Sequence, residues 1–375
     1  MPPSLLVLKE GYFERLWGGQ RLHDTLGMDA PGGMPVGEAW LVADHANCES
    51  IVLDGEWAGL SLHDIVSRHP DYLFGSVAGP TVHGRFPLLL KILDAAEVLS
   101  VQVHPDDAAA LALNEPDVGK TEMWHVLDSE PGSTLICGLD PELDQSTFLD
   151  AARNGRIERH MTQFPAPAGT STFVAAGTVH AIGAGILLAE IQQNSDLTYR
   201  IYDWGRTDAQ GNARELHLEK AARVTKFGSS HGGPARPLAY REAGGEVTVL
   251  GACKHFASEL VQVNGVRTRS THNRSFHILM PRDGEITLSA GDETRALHRC
   301  QAALVPAGAL DYTLTGHGFV LDYYVPDPAL DIVLPLREAG HDALDIARLG
   351  GDLASGDLDP TNARQNGTSD TNAFH

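Results

Sequence analysis

Hydrophobic and polar residues alternate with a period of two along much of this chain, and glycine and proline clusters cut the alternation into short runs. The sharpest run is Leu99-Ser-Val-Gln-Val-His104, in which Leu99, Val101 and Val103 take one face of an extended strand and Ser100, Gln102 and His104 the other. Just upstream, Phe86-Pro-Leu-Leu-Leu-Lys-Ile-Leu93 is almost continuously apolar, as a strand covered on both faces would be. The polar face of 99–104 reads in two ways. It is either the solvated side of a half-exposed strand, or an amide and an imidazole two residues apart that can grip one metal ion from a sheet interior.

Residues 1–60 give more short strand-like runs between Trp17-Gly-Gly, Pro31-Gly-Gly and Glu38-Ala-Trp-Leu-Val. Three stretches change to helical character. Ser61 to Pro70 predicts a short helix capped by Ser61 and stopped near the proline. Residues 106–114 are acidic at the front and Ala/Leu-rich behind, which suits the helix dipole, and 144–161 reads similarly. These predict helical insertions in a β domain, because strands resume at Thr172 and run on through Ile201. From Pro237 to about Pro335, strand-like runs recur at the spacing of a sandwich or barrel. The expected organisation is a first β domain over 1–236, a second over 237–337, and an acidic, mobile C-terminal tail over 338–375. Residues 351–375 are too polar to add a core layer, so truncation after Gly350 is expected to leave stability unchanged.

Length and charge narrow the function. The 375 residues, 42% hydrophobic, allow two sizeable cores, and the net charge of −21 argues against binding nucleic acid or an anionic membrane surface. An anionic substrate would need a local basic pocket. No apolar run has the length of a membrane span and the N-terminus lacks a signal-peptide pattern, which leaves a cytoplasmic location as the expectation. Cys48, Cys137, Cys253 and Cys300 are too dispersed for a zinc knuckle or a disulfide framework.

Two nucleotide-binding signals fail on inspection. Gly119-Lys-Thr121 lacks the first glycine of a P-loop, since Asn114 stands there, and Gly183-Ala-Gly185 lacks the third glycine of a dinucleotide fingerprint, since Leu188 stands there. In the second domain His272 and His277 read as surface or core histidines, so no metal site is expected in it. The surviving candidates are Lys120-Thr-Glu122, Gly177-Thr-Val-His180, and Glu190 to Arg200. On a straight strand Glu190, Gln192, Asp196, Thr198 and Arg200 would line one face.

Six runs carry a specific resemblance in order: Lys91-Ile-Leu-Asp, Leu99 to Asp107, Gly119-Lys-Thr-Glu-Met-Trp124, Ala176-Gly-Thr-Val-His-Ala181, Glu190-Ile-Gln-Gln, and Ser195 to Trp204. Together with Trp17-Gly-Gly, Gly37-Glu-Ala-Trp40 and Arg214-Glu-Leu-His217, they resemble type I mannose-6-phosphate isomerases over roughly residues 5–330. The resemblance implies a mainly β protein of two cupin-type double-stranded β-helix (jelly-roll) domains with short helical insertions in the first. It also implies one Zn²⁺ per chain and a small-molecule sugar phosphate as substrate, with mannose 6-phosphate and fructose 6-phosphate interconverted through a cis-enediol.

Matched to that family, Gln102, His104, Glu122 and His180 are the metal ligands, a nitrogen and oxygen donor set suited to zinc. Arg200, Lys120, Asp196 and Glu190 match catalytic positions, and Ser100 matches a substrate-contacting serine. Either Glu190 or Asp196 fits the role of base, and Lys120 does so only if burial depresses its pKa. Arg200 fits either as a stabiliser of the enediolate, favoured by its parity with Asp196 and Glu190, or as a phosphate anchor. Two positions depart from the family: Val174-Ala-Ala-Gly has alanine for the usual proline, and His125 replaces a tyrosine. A metal-dependent cupin oxygenase and a non-catalytic sugar-phosphate-binding cupin are the competing classes.

Overall fold

The structure is a computed structural model that describes residues 2–207, 211–228, 232–351 and 356–358. Its Cα framework divides into two units. The larger comprises Val7–Arg68 and Pro80–Pro234, and the second comprises residues 2–6, His69–Gly79 and the described residues from Ala235 onward. The second unit thus recruits segments that the sequence reading had placed in the first domain.

The larger unit is built on two antiparallel sheets. Its strands are β1 (Gly11–Gly19), β2 (Val36–Val42), β3 (Leu88–Ala95), β4 (Val101–Val103), β5 (Glu122–Ser129), β6 (Thr134–Leu139), β7 (Met161–Pro165), β8 (Ser171–Val174), β9 (His180–Ile182), β10 (Ile186–Gln193) and β11 (Tyr199–Tyr202). One sheet runs β8-β5-β10-β3-β1-β2 and the other β7-β6-β9-β4-β11. They face each other through a core in which Leu93, Trp124, Val126 and Leu188 of the first meet Leu135, Cys137 and Ile182 of the second.

The outer face of the smaller sheet is covered rather than solvated. Val101, Val103, Ile136, Ala181 and Ile201 pack there against Phe148, Ala151 and Ala152 of a helix at Gln145–Arg153 and Ala221, Ala222 and Val224 of another at Leu218–Val224. Val101 and Val103 of the 99–104 run are therefore spent on the helices while Leu99 packs in the core between the sheets, and the polar face of the run is turned inward against the other sheet. The two inserted helices begin where the sequence indicates: Asp106 accepts from Ala109 N (2.8 Å) and Asp144 from Thr147 N (2.7 Å), each an N-cap on a free amide. Ser61 and Asp64 cap the helix Leu62–Arg68 reciprocally, each side chain accepting from the other's backbone amide.

The second unit carries a single antiparallel sheet with β12 (Leu238–Glu242), β13 (Gly245–Ala252), β14 (Ala257–Ser270), β15 (His277–Ala290), β16 (Glu293–Leu297), β17 (Ala303–Val305) and β18 (Asp311–Tyr324), in the order β17-β15-β18-β14-β13-β12 with β16 on β15. Where the sequence reads several short strands, β15 continues for 14 residues. Its register shifts between Pro281 and Asp283, and Gly284 takes a left-handed φ of 80°, so the punctuation marks a bulge inside one strand and not a turn between two. The expected mobile tail from 338 is partly contradicted. Ala343–Arg348 is helical, and Ile346, Leu349 and Leu358 are buried beside Val249 and Ala252. Residues 352–355 and 359–375 of that tail lie outside the described residues.

Candidate metal centre and active site

Cross-strand register assembles the inward row. On the smaller sheet, His180 of β9 lies opposite Gln102 of β4, and Gln102 lies opposite Arg200 of β11, so the three share the face turned toward the other sheet. His104 follows β4 directly, on the same parity as Gln102. From the larger sheet Glu122, the first residue of β5, projects into the same space alongside Trp124 and Val126.

The groups converge. Glu122 Oε2 is 3.4 Å from His104 Nε2 and Glu122 Oε1 is 3.4 Å from His180 Nε2, while Gln102 Nε2 is 3.2 Å from His180 Nε2. Each imidazole spends its other nitrogen on a backbone carbonyl: His104 Nδ1 donates to Leu197 O (2.6 Å) and His180 Nδ1 to Thr178 O (2.8 Å). That fixes the tautomer and directs both Nε2 lone pairs at the carboxylate. His104 Nε2 and Glu122 Oε1 are buried with no hydrogen bond, which is costly unless another group uses them. Among the described residues, His104, Glu122 and His180 form a cluster whose ligand atoms lie close enough together to hold one metal ion, all three buried. Gln102, beside His180, can complete the set through Oε1 after a half-turn of its amide.

The electrostatics suit a bound cation. Burial holds the His104 imidazole down to about 3, with Lys120 adding to the effect, so it stays neutral and available as a ligand. His180 is shifted the same way by burial. Burial pushes the Glu122 carboxyl up, but Lys120 and the imidazoles outweigh it and hold it well below the usual carboxylate range.

Lys120 Nζ lies 3.0 Å from Glu122 Oε2. Burial alone would lower its pKa, but Glu122 and then Glu190 raise it above the ordinary lysine value. With Glu122 ionised beside it, the side chain is a buried cation paired to that carboxylate. Its position is set by a local staple: Gly119 N and Gln193 Nε2 both donate to Asp107 Oδ1, Thr121 N donates to Gln193 Oε1, and Lys120 N donates to Pro105 O.

The stripe expected from Glu190 to Arg200 does not form, because β10 ends at Gln193 and β11 begins at Tyr199 in the other sheet. Glu190 instead sits in a row on the larger sheet, between Trp124 and Lys91, with Trp40 beyond. Its Oε2 accepts from Trp124 Nε1 (2.9 Å), its Oε1 is 3.6 Å from Lys91 Nζ, and burial, with Glu122 adding, raises its pKa. Asp196 is half-buried and accepts from Asn47 Nδ2 at 3.0 Å. Arg200 extends from the row toward Ser100, donating from Nε to its hydroxyl at 3.3 Å and from a terminal nitrogen to Glu215 O at 3.0 Å.

Beside Arg200 stand Arg206 and Arg214, both paired to Asp203, so one carboxylate faces three guanidinium groups. The sequence reading did not single out Arg206, Arg214 or Asp203 as a group. Arg214 occurs in a run that matched the family, but only folding brings it beside Arg200. The two departures from the family are local. His125 turns away and pairs with Ser171 Oγ (2.9 Å), and the turn before His180 is held without proline by Gly177 N donating to His104 O (2.8 Å).

Two imidazoles and a carboxylate buried between the sheets of a β double layer are a donor set placed to hold a metal ion in a cupin-type fold. The profile described as "Phosphomannose isomerase type I, catalytic domain" matches residues 5–123, and that described as "Mannose-6-phosphate isomerase, cupin domain" matches 246–325. A mannose-6-phosphate isomerase of Streptococcus mutans serotype c is 36% identical over 302 residues, covering 80% of this chain and 92% of that protein. The crystal structure of the mannose 6-phosphate isomerase from Bacillus subtilis superposes with a TM-score of 0.78 at 30% identity, covering 86% of this chain and 99% of that one. A zinc-bound mannose 6-phosphate isomerase at 18% identity has the same fold, with a TM-score of 0.68, and covers 86% of this chain and 100% of that one. This chain belongs to the type I mannose-6-phosphate isomerases, a family of isomerase enzymes.

Proposed function

We propose that this chain interconverts mannose 6-phosphate and fructose 6-phosphate through a cis-enediol, with one zinc ion held by Gln102, His104, Glu122 and His180. The observation that carries this reading is the buried donor set of His104, Glu122 and His180, whose Nε2 and carboxylate oxygens face one another with no hydrogen bond of their own on His104 Nε2 or Glu122 Oε1. The relatives' names supply the substrate. Held by these residues, a zinc ion would supply Lewis-acid polarisation of a sugar oxygen on which negative charge develops.

The protein's own groups do the rest. Arg200 and Ser100 take the phosphate, because the three guanidinium groups around Asp203 leave a local positive excess on a chain of net charge −21. Glu190 moves the proton between C1 and C2: burial has raised its pKa toward the range in which a carboxylate both accepts and returns a proton. Lys120, held protonated, donates to the sugar oxygen beside Glu122. Asp196 adds to the field that keeps Lys120 charged.

The test is a coupled assay with mannose 6-phosphate. Turnover should vanish on exhaustive chelation, return with Zn²⁺ and consume no oxygen, and His180→Ala should lose bound metal by elemental analysis while keeping its circular dichroism spectrum. Full turnover in protein stripped of metal would overturn the metal assignment. Oxygen consumption would move the chain to the oxygenases.

A further inference from the structure

Arg200 stands on β11, which ends the smaller sheet, so among the described residues no strand pairs with its outer side. An edge of this kind leaves backbone N–H and C=O groups to be satisfied by other means. At Arg200 one residue satisfies both: Arg200 N donates to His217 Nδ1 (3.2 Å), and His217 N donates to Arg200 O (2.7 Å). The same segment holds the side chain, since a terminal nitrogen of Arg200 donates to Glu215 O (3.0 Å). Strand pairing by itself fixes this residue poorly, because the register of β11 on β4 shifts just after it, between Arg200 and Tyr202.

The run Arg214-Glu-Leu-His217 is itself anchored at both ends. Arg214 Nε donates to Asp203 Oδ2 (2.7 Å), and His217 leads into the helix Leu218–Val224, which packs against the smaller sheet. We propose that His217 is a positioning residue for the isomerase reaction, its neutral imidazole accepting from Arg200 N and so aiming the Arg200 guanidinium at the substrate phosphate. The inference rests on the reading that Arg200 takes the phosphate.

His217 Nδ1 accepts only while it carries no proton, which places the ring hydrogen on Nε2, 3.9 Å from the exposed Glu215 carboxylate. Protonation sets a donor against the Arg200 amide and removes the bond. The surroundings keep the ring neutral: burial lowers its pKa, and Arg200 and Lys220 add to that, outweighing Glu215 and Glu115, which raise it. The ring of Tyr199 stands 6.3 Å away, its hydroxyl donating to Glu115. A histidine that merely closed the sheet edge would change stability and leave substrate affinity alone, whereas one that aims Arg200 changes KM.

The test is initial-rate kinetics with mannose 6-phosphate on the zinc-loaded full chain, comparing wild type, His217→Ala, His217→Asn, Arg200→Ala and the Arg200→Ala/His217→Ala double variant, with metal content and circular dichroism measured on each. His217→Ala should raise KM by about tenfold, the order of one hydrogen bond in a binding equilibrium, with kcat changed less. Asparagine carries a neutral acceptor oxygen at the same reach along the side chain, so His217→Asn should restore most of the affinity, and this comparison stands even if the alanine variant folds poorly. In the double variant the loss of His217 should add nothing to the loss of Arg200. As pH falls below about 6.5, KM of the wild type should climb more steeply than that of His217→Asn, because the substrate phosphate and the metal ligands titrate in both proteins and this imidazole in one only. Wild-type KM in His217→Ala, asparagine as poor as alanine, additive effects in the double variant, or parallel pH profiles would each overturn the proposal. If Arg200→Ala itself leaves KM unchanged, the phosphate reading fails and this inference with it; a raised KM in Arg200→Ala beside a wild-type KM in His217→Ala overturns the inference alone.

Discussion

Arg200 shows how far a residue's role depends on where its side chain ends. Strand parity had placed it beside Glu190 and Asp196, and with that near the proton transfer. In the fold its neighbour in register is Gln102, but the guanidinium turns to Ser100 and stands beside Arg206 and Arg214. Like charges crowd there, and burial followed by Arg214 lowers its pKa, so an anion would relieve the site. Arg200→Lys replaces a fork of donors by a point charge. KM for mannose 6-phosphate should rise by roughly tenfold or more, the loss of about 1.4 kcal/mol of charge-assisted hydrogen bonding, with kcat changed less. Initial rates across substrate concentration decide it. A steep fall in kcat at unchanged KM would return Arg200 to the enediolate.

At the scale of elements, the decisive feature is a polar row across four strands of the larger sheet. Trp124 of β5, Glu190 of β10, Lys91 of β3 and Trp40 of β2 are neighbours in register. Lys91 Nζ lies over the Trp40 ring at 4.6 Å, 3.6 Å from Glu190 and 3.7 Å from Glu38 Oε2. Glu38 in turn accepts from Trp40 Nε1 (2.7 Å) and Arg15 Nε (2.6 Å). Lys91 and the Gly37-Glu-Ala-Trp40 run belonged to the matched motifs, yet no spacing along the chain indicates that they meet, because the row is formed by strand pairing.

Burial pushes the Glu38 carboxyl up, but Lys91 and Arg15 bring it down from 4.5 to about 2. A folded-state pKa depressed in this way adds stability that is complete above about pH 4.5 and lost as pH falls toward about 2, on the order of 3 kcal/mol in all. Glu38→Gln should therefore be less stable than the wild type at neutral pH, and the gap should shrink by more than half between about pH 5 and pH 3. Urea denaturation at both values measures it. An equal gap at both would mean that the carboxyl titrates normally in the folded protein.

For the whole molecule, the β class, the helical insertions at 106–114 and 144–161, and the set Gln102, His104, Glu122 and His180, which the fold brings together, were legible because they depend on local pattern or on ordered motifs. The pairing of the two sheets was not, and neither was the cover on the smaller one, since the same alternation fits a strand with water or helices on its apolar side. The C-terminal region misled for a related reason. Between Gly350 and Leu358 the composition is polar, and two leucines five residues apart in such a stretch, Leu353 and Leu358, carry no periodic signal.

In the fold, Leu358 is 2% exposed and packs with Val249, Ala252, Ile346 and Leu349, while Asp357 accepts from Lys254 N at 3.2 Å. Truncation after Gly350 removes both contacts and leaves the apolar pocket open. The expected loss is of the size of a buried Leu→Ala change, about 2 to 5 kcal/mol, so both the truncated chain and Leu358→Ala should melt several degrees below the full chain. Turnover well below the melting range should be unaffected, because every side chain proposed to hold the metal or touch the substrate lies in the larger unit. A melting temperature unchanged by truncation would show that Leu358 contributes nothing to that core. Lost turnover with an unchanged melting temperature would instead tie the C-terminal residues to the chemistry.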